Sequence, residues 1–171
     1  DYFDESIDGN VNVVTAPRQP GSSFKPIVYS EFFTKGFTPE TVLFDASTNF
    51  GPDGTGKDYI PQDYDGNERG FITARKALAG SLNIPAVEAL YLSGVDDVLS
   101  LAEKMGYTTL GDRSRFGLAV VLGGAEVKLI DHASAFGIFA REGTKIPTVS
   151  ILKVEDAQGN VLEEKQDVEP E

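Results

Sequence analysis

The chain has 171 residues, of which 40% are hydrophobic and 10% aromatic, and this globular composition excludes a disordered or fibrous class. At this length a chain buries about two-thirds of its unfolded surface, which predicts a single domain with its own core. The absence of cysteine excludes disulfides, thiolate zinc sites and a cysteine nucleophile, and the formal net charge of −12 argues against nucleic acid as a partner, because phosphate binding needs a basic surface.

The N-terminal part of the chain combines a strand pattern, a helix pattern and a long irregular segment. A run of valines predicts a short strand over residues 11–14. An apolar stripe that begins after Ser22 predicts a helix, for which Gly36 is the stop signal. Residues 37–69 carry prolines, glycines and turn signals, which predicts a long irregular loop of the kind that is often functional.

The rest of the chain predicts successive helices followed by a hairpin. Apolar spacing and glycine stops predict helices over residues 72–79, 85–92, 95–105 and 129–142. Alternating apolar residues around a glycine-containing turn predict a β-hairpin over 149–162. Residues from about 163 to 171 are acidic, and we interpret them as a solvated tail. The expected fold class is α+β and helix-rich.

Acyl-transfer chemistry requires a nucleophile, a base within hydrogen-bonding reach and donors for the developing oxyanion. The single histidine, His132, lies among apolar positions of the predicted 129–142 helix, and we interpret it as structural. The alternative base is a lysine in a Ser-x-x-Lys pattern, because residues three apart share one face of a helix. Desolvation lowers the pKa of such a lysine, so that it can accept the serine proton near neutral pH.

The Ser-x-x-Lys pattern occurs twice, as Ser22–Lys25 and Ser150–Lys153. The second copy lies in a predicted strand, where residues three apart point to opposite faces. The first copy opens the predicted helix, where backbone N–H groups favour a developing negative charge. Ser22 is therefore a candidate nucleophile and Lys25 its candidate base, although the same position also suits an ordinary N-cap serine.

A Ser-x-Asn pattern would add a hydroxyl for proton relay and an amide that holds the substrate. It also occurs twice, as Ser47-Thr48-Asn49 in the irregular loop and Ser81-Leu82-Asn83 between two predicted helices. The loop copy is most simply a local turn. The copy between the helices is followed by a proline that makes the corner rigid, and we therefore favour Ser81 and Asn83.

Residues 18–26, Arg-Gln-Pro-Gly-Ser-Ser-Phe-Lys-Pro, resemble the active-serine segment of penicillin-binding proteins. The segment is most similar to the transpeptidase domain of the bifunctional, class A type, and the resemblance continues in the family's order through residues 70–86 and 122–162. It implies a partial β-lactamase/transpeptidase-like fold, with a helical body and an incomplete antiparallel sheet. The family's third motif, Lys-Thr-Gly, is absent, because residues 143–145 read Gly-Thr-Lys. Residues 1–171 are thus expected to form part of such a domain.

The resemblance implies a peptidoglycan D,D-transpeptidase that forms an acyl-enzyme with stem peptides. Ser22 would be the nucleophile, Lys25 its base, Ser81 the relay to the leaving amine and Asn83 the group that holds the acyl chain. β-Lactams would acylate Ser22 as substrate mimics, and no cofactor or metal is implied. The family also implies a parent protein anchored at the extracytoplasmic face of a bacterial membrane, with an upstream glycosyltransferase domain.

Two other functions share these motifs. A serine β-lactamase or β-lactam sensor would use the same serine and lysine, and a catalytically silent binding or scaffold module would use neither. The catalytic interpretation predicts a buried Lys25 amine within hydrogen-bonding distance of the Ser22 hydroxyl, with Ser81 and Asn83 close by. Without Lys-Thr-Gly we expect slow acylation or none, because the loss of one oxyanion donor costs about 10²–10³ in rate.

Overall fold

The computed structural model describes residues 2–52 and 56–165, so residues 166–171 of the expected acidic tail lie outside the described residues. The α-helices are α1 (Lys25–Thr34), α2 (Ala74–Ala79), α3 (Ile84–Ser93), α4 (Val95–Lys104) and α5 (Leu129–Ala140). The strands are β1 (Pro17–Arg18), β2 (Val42–Asp45), β3 (Gly70–Thr73), β4 (Val127–Lys128), β5 (Lys153–Glu155) and β6 (Val161–Glu164). Short 3-10 helices cover Glu5–Ile7, Gly21–Phe24, Arg113–Arg115 and Leu118–Leu122.

The strands form three separate antiparallel pairs rather than one sheet. β1 pairs with β4, β2 with β3, and β5 with β6. In the β2–β3 pair, Val42 lies opposite Thr73 and Asp45 lies opposite Gly70. The predicted β-hairpin is confirmed as the β5–β6 pair, although its strands cover residues 153–164 rather than 149–162.

Helices α1 and α3 form the centre of the core. Both carry apolar side chains on most faces, which is the pattern of a helix surrounded by other elements. In α1, Ile27, Val28 and Phe32 are completely buried, and they pack in the same cluster as Val87 and Leu90 of α3. No helix within residues 2–52 and 56–165 is long and apolar enough to cross a membrane.

The predicted helix ends agree with the structure where they rest on glycine and proline. Gly36 follows the end of α1 with a φ of +95°, a conformation that L side chains rarely adopt. Pro85 lies in the first turn of α3, where its missing N–H costs no hydrogen bond. Gly94, with a φ of +88°, ends α3 and precedes the first residue of α4.

The strand predicted over residues 11–14 is wrong. The backbone turns there, because the side chain of Asn12 accepts a hydrogen bond from the Val14 N–H at 3.1 Å. The Asn12 carbonyl accepts a further hydrogen bond from the Ala16 N–H. Asparagine at this position stabilises a turn in place of a strand, and the strand begins only at Pro17.

The helix predicted from Ile72 also begins too early, and the segment before it is less irregular than expected. Ile72 lies in β3, opposite Leu43 of β2, and the helix α2 starts at Ala74. The Thr73 side chain caps this helix by accepting from the Lys76 N–H. Residues 37–69 therefore contain one strand of a non-local pair, which the sequence pattern did not predict.

Candidate functional site

Ser22 lies in the 3-10 turn Gly21–Phe24 that leads directly into α1. The Lys25 backbone N–H donates to the Ser22 carbonyl, so the turn fixes the two residues relative to each other. Gly123 packs against this turn, and a Cβ at Gly123 would lie 2.3 Å from the Gly21 Cα. Ser22 is exposed, and within the described part of the chain its hydroxyl makes no hydrogen bond. The oxygen is therefore free to approach a substrate.

Lys25 is a buried lysine with an exposed fraction of 1%. Its Nζ donates to the Ser81 carbonyl at 2.6 Å and to Asn83 Oδ1 at 2.7 Å, and it lies 3.4 Å from Ser81 Oγ. Burial lowers the pKa of Lys25 to about 8, although the negative charge of Asp63 acts in the opposite direction. The burial predicted for Lys25 is observed, whereas the predicted hydrogen bond from its amine to the Ser22 hydroxyl does not form among the described residues.

Ser81 and Asn83 lie at the corner between α2 and α3. Ser81 is exposed and has a φ of +53°, which is unusual for a residue with a side chain. The Asn83 side chain is held from two sides, because its Nδ2 donates to the Gln62 carbonyl at 2.8 Å while its Oδ1 accepts from Lys25. The structure therefore brings Lys25, Ser81 and Asn83 together from segments more than 50 residues apart.

The other copies of the two patterns lie away from the Lys25 amine, and the Ser47 N–H donates to Glu68 Oε1 at 2.9 Å. Thr48 Oγ1 donates to the Ala46 carbonyl, and Asn49 shapes its own turn by accepting from the Gly51 N–H. Ser150 precedes β5, and Lys153 forms an ion pair with Glu155 in the same strand. Neither copy contacts the Lys25 amine through the hydrogen bonds found in residues 2–52 and 56–165.

His132 contacts the turn that carries Ser22, although it does not contact Ser22 itself. Its Nε2 is 2.9 Å from Ser23 Oγ, and its Nδ1 is 2.6 Å from the Tyr107 hydroxyl. Burial lowers the pKa of His132, which favours the neutral ring. The histidine thus links α5 and Tyr107 to the residue that follows Ser22, a connection that the sequence did not indicate.

Two buried aspartates near Asn83 were not predicted from the sequence. Asp45 and Asp63 are both buried, and Arg69 Nη1 lies 3.4 Å from Asp45 Oδ2 and 3.3 Å from Asp63 Oδ2. The only available signal was that Asp63 falls in the irregular segment 37–69. Among residues 2–52 and 56–165, no group of three or more His, Asp or Glu side chains is arranged to hold a metal ion.

Comparison with known proteins relates this chain to one family. The penicillin-binding protein transpeptidase domain family matches residues 5–170. The chain is 38% identical to penicillin-binding protein 1A of Aquifex aeolicus over 151 residues, which are 88% of this chain and 20% of that protein. The chain thus spans about a fifth of the length of the curated relatives that it matches.

Two solved structures show the same fold. Penicillin-binding protein 1A from Haemophilus influenzae has a TM-score of 0.83 and 27% identity over 92% of this chain and 23% of that chain. Penicillin-binding protein A from Mycobacterium tuberculosis, solved as a ceftriaxone acyl-enzyme complex, has a TM-score of 0.81 and 18% identity over 95% of this chain and 40% of that chain. The expected helix-rich α+β fold is confirmed, and the chain belongs to the penicillin-binding protein transpeptidase domain family.

Proposed function

We propose that this chain carries the acylation centre of a peptidoglycan D,D-transpeptidase. The observation that carries the proposal is the buried Lys25 amine, which contacts both Ser81 and Asn83 and belongs to the same turn as the exposed Ser22. Membership of the transpeptidase family supplies the reaction class. The substrates are the D-alanyl-D-alanine ends of peptidoglycan stem peptides, and β-lactams are their mimics.

In the first half of the reaction, Ser22 Oγ attacks the carbonyl carbon of the penultimate alanine while Lys25 Nζ accepts the hydroxyl proton. With a pKa of about 8, roughly one Lys25 amine in ten is neutral at pH 7, compared with fewer than about one in a thousand for an ordinary lysine. The hydrogen bond between Lys25 Nζ and Ser22 Oγ forms when substrate binds, because catalytic hydrogen bonds commonly tighten only in the complex. The Ser22 N–H, at the start of its turn, donates to the oxyanion.

In the second half, the tetrahedral intermediate collapses and the bond to the terminal D-alanine breaks. The proton held by Lys25 passes through the Ser81 hydroxyl, 3.4 Å from Nζ, to the departing amine. Asn83 orients the acyl chain. The amine of a second stem peptide then attacks the ester carbonyl and gives up a proton to Lys25. The ester C–O bond breaks as the new amide bond forms, and the proton passes from Lys25 to Ser22 Oγ. None of these steps uses a metal or a cofactor.

The family also suggests where the whole protein acts. Relatives of this chain are named penicillin-binding protein 1A and are about five times longer than the matched segment. We place the reaction at the extracytoplasmic face of the bacterial membrane, in a membrane-anchored parent protein with an upstream glycosyltransferase domain.

Fluorescent penicillin tests this function with a matched pair of variants. Opening of the β-lactam ring breaks the lactam C–N bond, forms an ester to Ser22 Oγ and transfers the hydroxyl proton to the ring nitrogen, so the chain gains the mass of the whole antibiotic. Ser22→Ala should abolish the adduct. Ser23→Ala removes the neighbouring exposed hydroxyl, and this variant should still form the adduct. The adduct accumulates, so overnight incubation detects an acylation slowed by about 10²–10³.

The fate of the adduct separates the alternatives. A stable mass increase that requires Ser22 supports the transpeptidase. A rapid return to the original mass, with release of hydrolysed penicillin, identifies a β-lactamase instead. The absence of any adduct in the folded chain identifies a catalytically silent module, and an adduct that persists in Ser22→Ala contradicts the role of Ser22.

A further inference from the structure

Asp63 compensates for a missing helix cap. Asn83 is the N-cap residue of α3, yet its own side chain caps no backbone N–H of the helix. Asp63 Oδ1 instead accepts hydrogen bonds from the backbone N–H groups of both Asn83 and Ile84. A carboxylate at a helix N-terminus satisfies otherwise unpaired donors and opposes the positive end of the helix dipole. The position of Asn83, and thus of the oxygen that contacts Lys25, depends on a residue 20 positions earlier.

Asp63 also supplies the charge that faces Lys25. A buried ammonium group is strongly unfavourable unless an opposite charge lies close to it. The hydrogen-bond acceptors of the Lys25 amine, on Ser81 and Asn83, are neutral. Burial lowers the pKa of Lys25, and the negative charge of Asp63 raises it in partial opposition.

Asp63 is held in place by an ion-pair network around Arg69. Arg69 contacts Asp63 and Asp45 through Nη1, and it contacts Asp65 through Nη2 at 2.7 Å. Burial, followed by hydrogen bonding and repulsion from Asp63, raises the pKa of Asp45 to about 6, while Arg69 opposes this effect. Asp45 Oδ1 is buried and has no hydrogen-bond partner among the described residues.

Two other groups face this network. Tyr29 of α1 is buried, and burial together with the charges of Glu88, Asp45 and Asp63 raises the pKa of its hydroxyl. Burial also raises the pKa of Glu88 in α3, which accepts a hydrogen bond from the Phe44 N–H at 2.7 Å. The charges of Asp45 and Asp63 therefore act on Tyr29 as well, whereas Lys25 receives its charge interaction from Asp63.

From these contacts we propose that Asp63 is a positioning residue of the site, which fixes Asn83 through the backbone and balances the buried charge of Lys25. The assignment rests on the proposed function in one respect only, the use of Lys25 as the base. Asp63 raises the pH at which the Lys25 amine becomes neutral, and the cap that it provides keeps Asn83 directed at that amine.

The test is an NMR titration of the Lys25 side chain in the complete chain, with ¹³C-labelled lysine, in the wild type and in Asp63→Asn. The signal is assigned by its loss in Lys25→Met. Asparagine keeps an oxygen that can accept from the Asn83 and Ile84 N–H groups while it removes the negative charge. We expect the midpoint of the Lys25 titration to move to lower pH by roughly one unit in Asp63→Asn, because an opposite charge is lost.

Asp65→Asn is the matched control, since Asp65 contacts the same arginine but lies in an exposed position. This variant should leave the Lys25 midpoint unchanged. An unchanged midpoint in a folded Asp63→Asn would overturn the proposal, as would an equal shift in Asp65→Asn. Should Asp63→Asn fail to fold, Arg69→Gln supplies the opposite test. Removal of the guanidinium exposes Lys25 to more of the Asp63 charge and should raise the midpoint, and a lower midpoint contradicts the proposal.

The titration is independent of penicillin acylation. If Asp63→Asn shifts the midpoint but no variant forms a Ser22 adduct, the proposed function fails and the role of Asp63 stands. If the wild type is acylated at Ser22 while the midpoint does not move, Asp63 has no influence on Lys25 and the proposed function stands.

Discussion

Lys25 combines burial with a hydrogen-bonded amine, and this combination determines how the site responds to pH. Burial destabilises the ammonium form and lowers the pKa of Lys25 to about 8. The protonated amine cannot accept the Ser22 proton. The fraction of active sites therefore increases as pH rises through the pKa of Lys25, and it is constant well above that value.

The first prediction concerns the pH dependence of acylation. Between pH 6 and 7 the rate of penicillin acylation at Ser22 should increase about tenfold, and it should level off above the Lys25 pKa of about 8. Lys25→Met should remove the acylation at every pH. Initial rates of adduct formation, measured by intact mass across this range, give the profile. A rate independent of pH from 6 to 9 is incompatible with Lys25 as the base.

The second prediction concerns the contact between Gly123 and the turn of Ser22. Gly123→Ala places a Cβ 2.3 Å from the Gly21 backbone, at a φ of +90°, so the turn must move. We expect a loss of about 2–4 kcal/mol in the free energy of unfolding, from backbone strain and overpacking together. Ser22 acylation should slow as well. Chemical denaturation measures the first effect and penicillin labelling the second.

Gly143→Ala is the control for this prediction. Gly143 has a φ of +99°, but no atom outside its chain neighbours lies within 4 Å of the added Cβ. This variant should lose only the strain energy, about 1–2 kcal/mol, and acylation of Ser22 should be unchanged. Equal effects of the two substitutions on acylation would show that Gly123 does not position the turn.

The elements themselves differ in how far the sequence predicts them. Pro85 predicts the start of α3, and Gly94 predicts both the end of α3 and the start of α4. These residues restrict the local backbone independently of tertiary contacts. The β2–β3 pair joins segments about 30 residues apart, and neither strand has a pattern that identifies its partner. Local signals therefore predict the helices, whereas the paired strands depend on tertiary contacts.

The same distinction applies to the site. Spacing within one turn identifies Ser22 and Lys25, and the corner before α3 identifies Ser81 and Asn83. Asp63 was not predicted, because its importance arises from a helix end that approaches it in space. The link between Ser23 and His132 was missed for the same reason, since these residues are 109 positions apart. The catalytic roles of the four predicted residues stay predictions until acylation is measured.

The third prediction concerns the docking of α5 on the turn of Ser22. Burial lowers the pKa of His132, so the unfolded chain binds a proton more readily than the folded chain. The contribution of His132 to stability should therefore fall as pH decreases through its ordinary value of about 6.5. Between pH 7.5 and pH 5.5 the free energy of unfolding, measured by chemical denaturation, should fall more in the wild type than in His132→Gln. Equal losses would exclude a contribution from the titration of His132.

At the scale of the whole molecule, the C-terminal hairpin leaves apolar side chains in solvent. Ile151 and Leu152 lie before β5, and Val161 and Leu162 lie in β6, all of them exposed. Exposed apolar patches of this kind favour association. The fourth prediction is that this chain associates at high concentration.

Leu162→Lys tests the prediction, because it places a charge on the exposed face of β6. Sedimentation of the wild type over a range of concentrations should show association that decreases in the variant. Glu163→Gln, a change in the same strand that leaves the apolar residues in place, should not reduce association. A wild type that stays monomeric at every concentration shows that the hairpin needs no partner.

Ser22 is the residue that we propose is acylated by substrates and β-lactams. Digestion of the penicillin-treated chain and tandem mass spectrometry of the peptide that contains residues 19–25 test it most directly, because fragment ions distinguish Ser22 from the adjacent Ser23. We predict that the whole mass of the antibiotic is found on Ser22. An adduct on Ser23, on Ser81 or elsewhere in the chain would contradict the account.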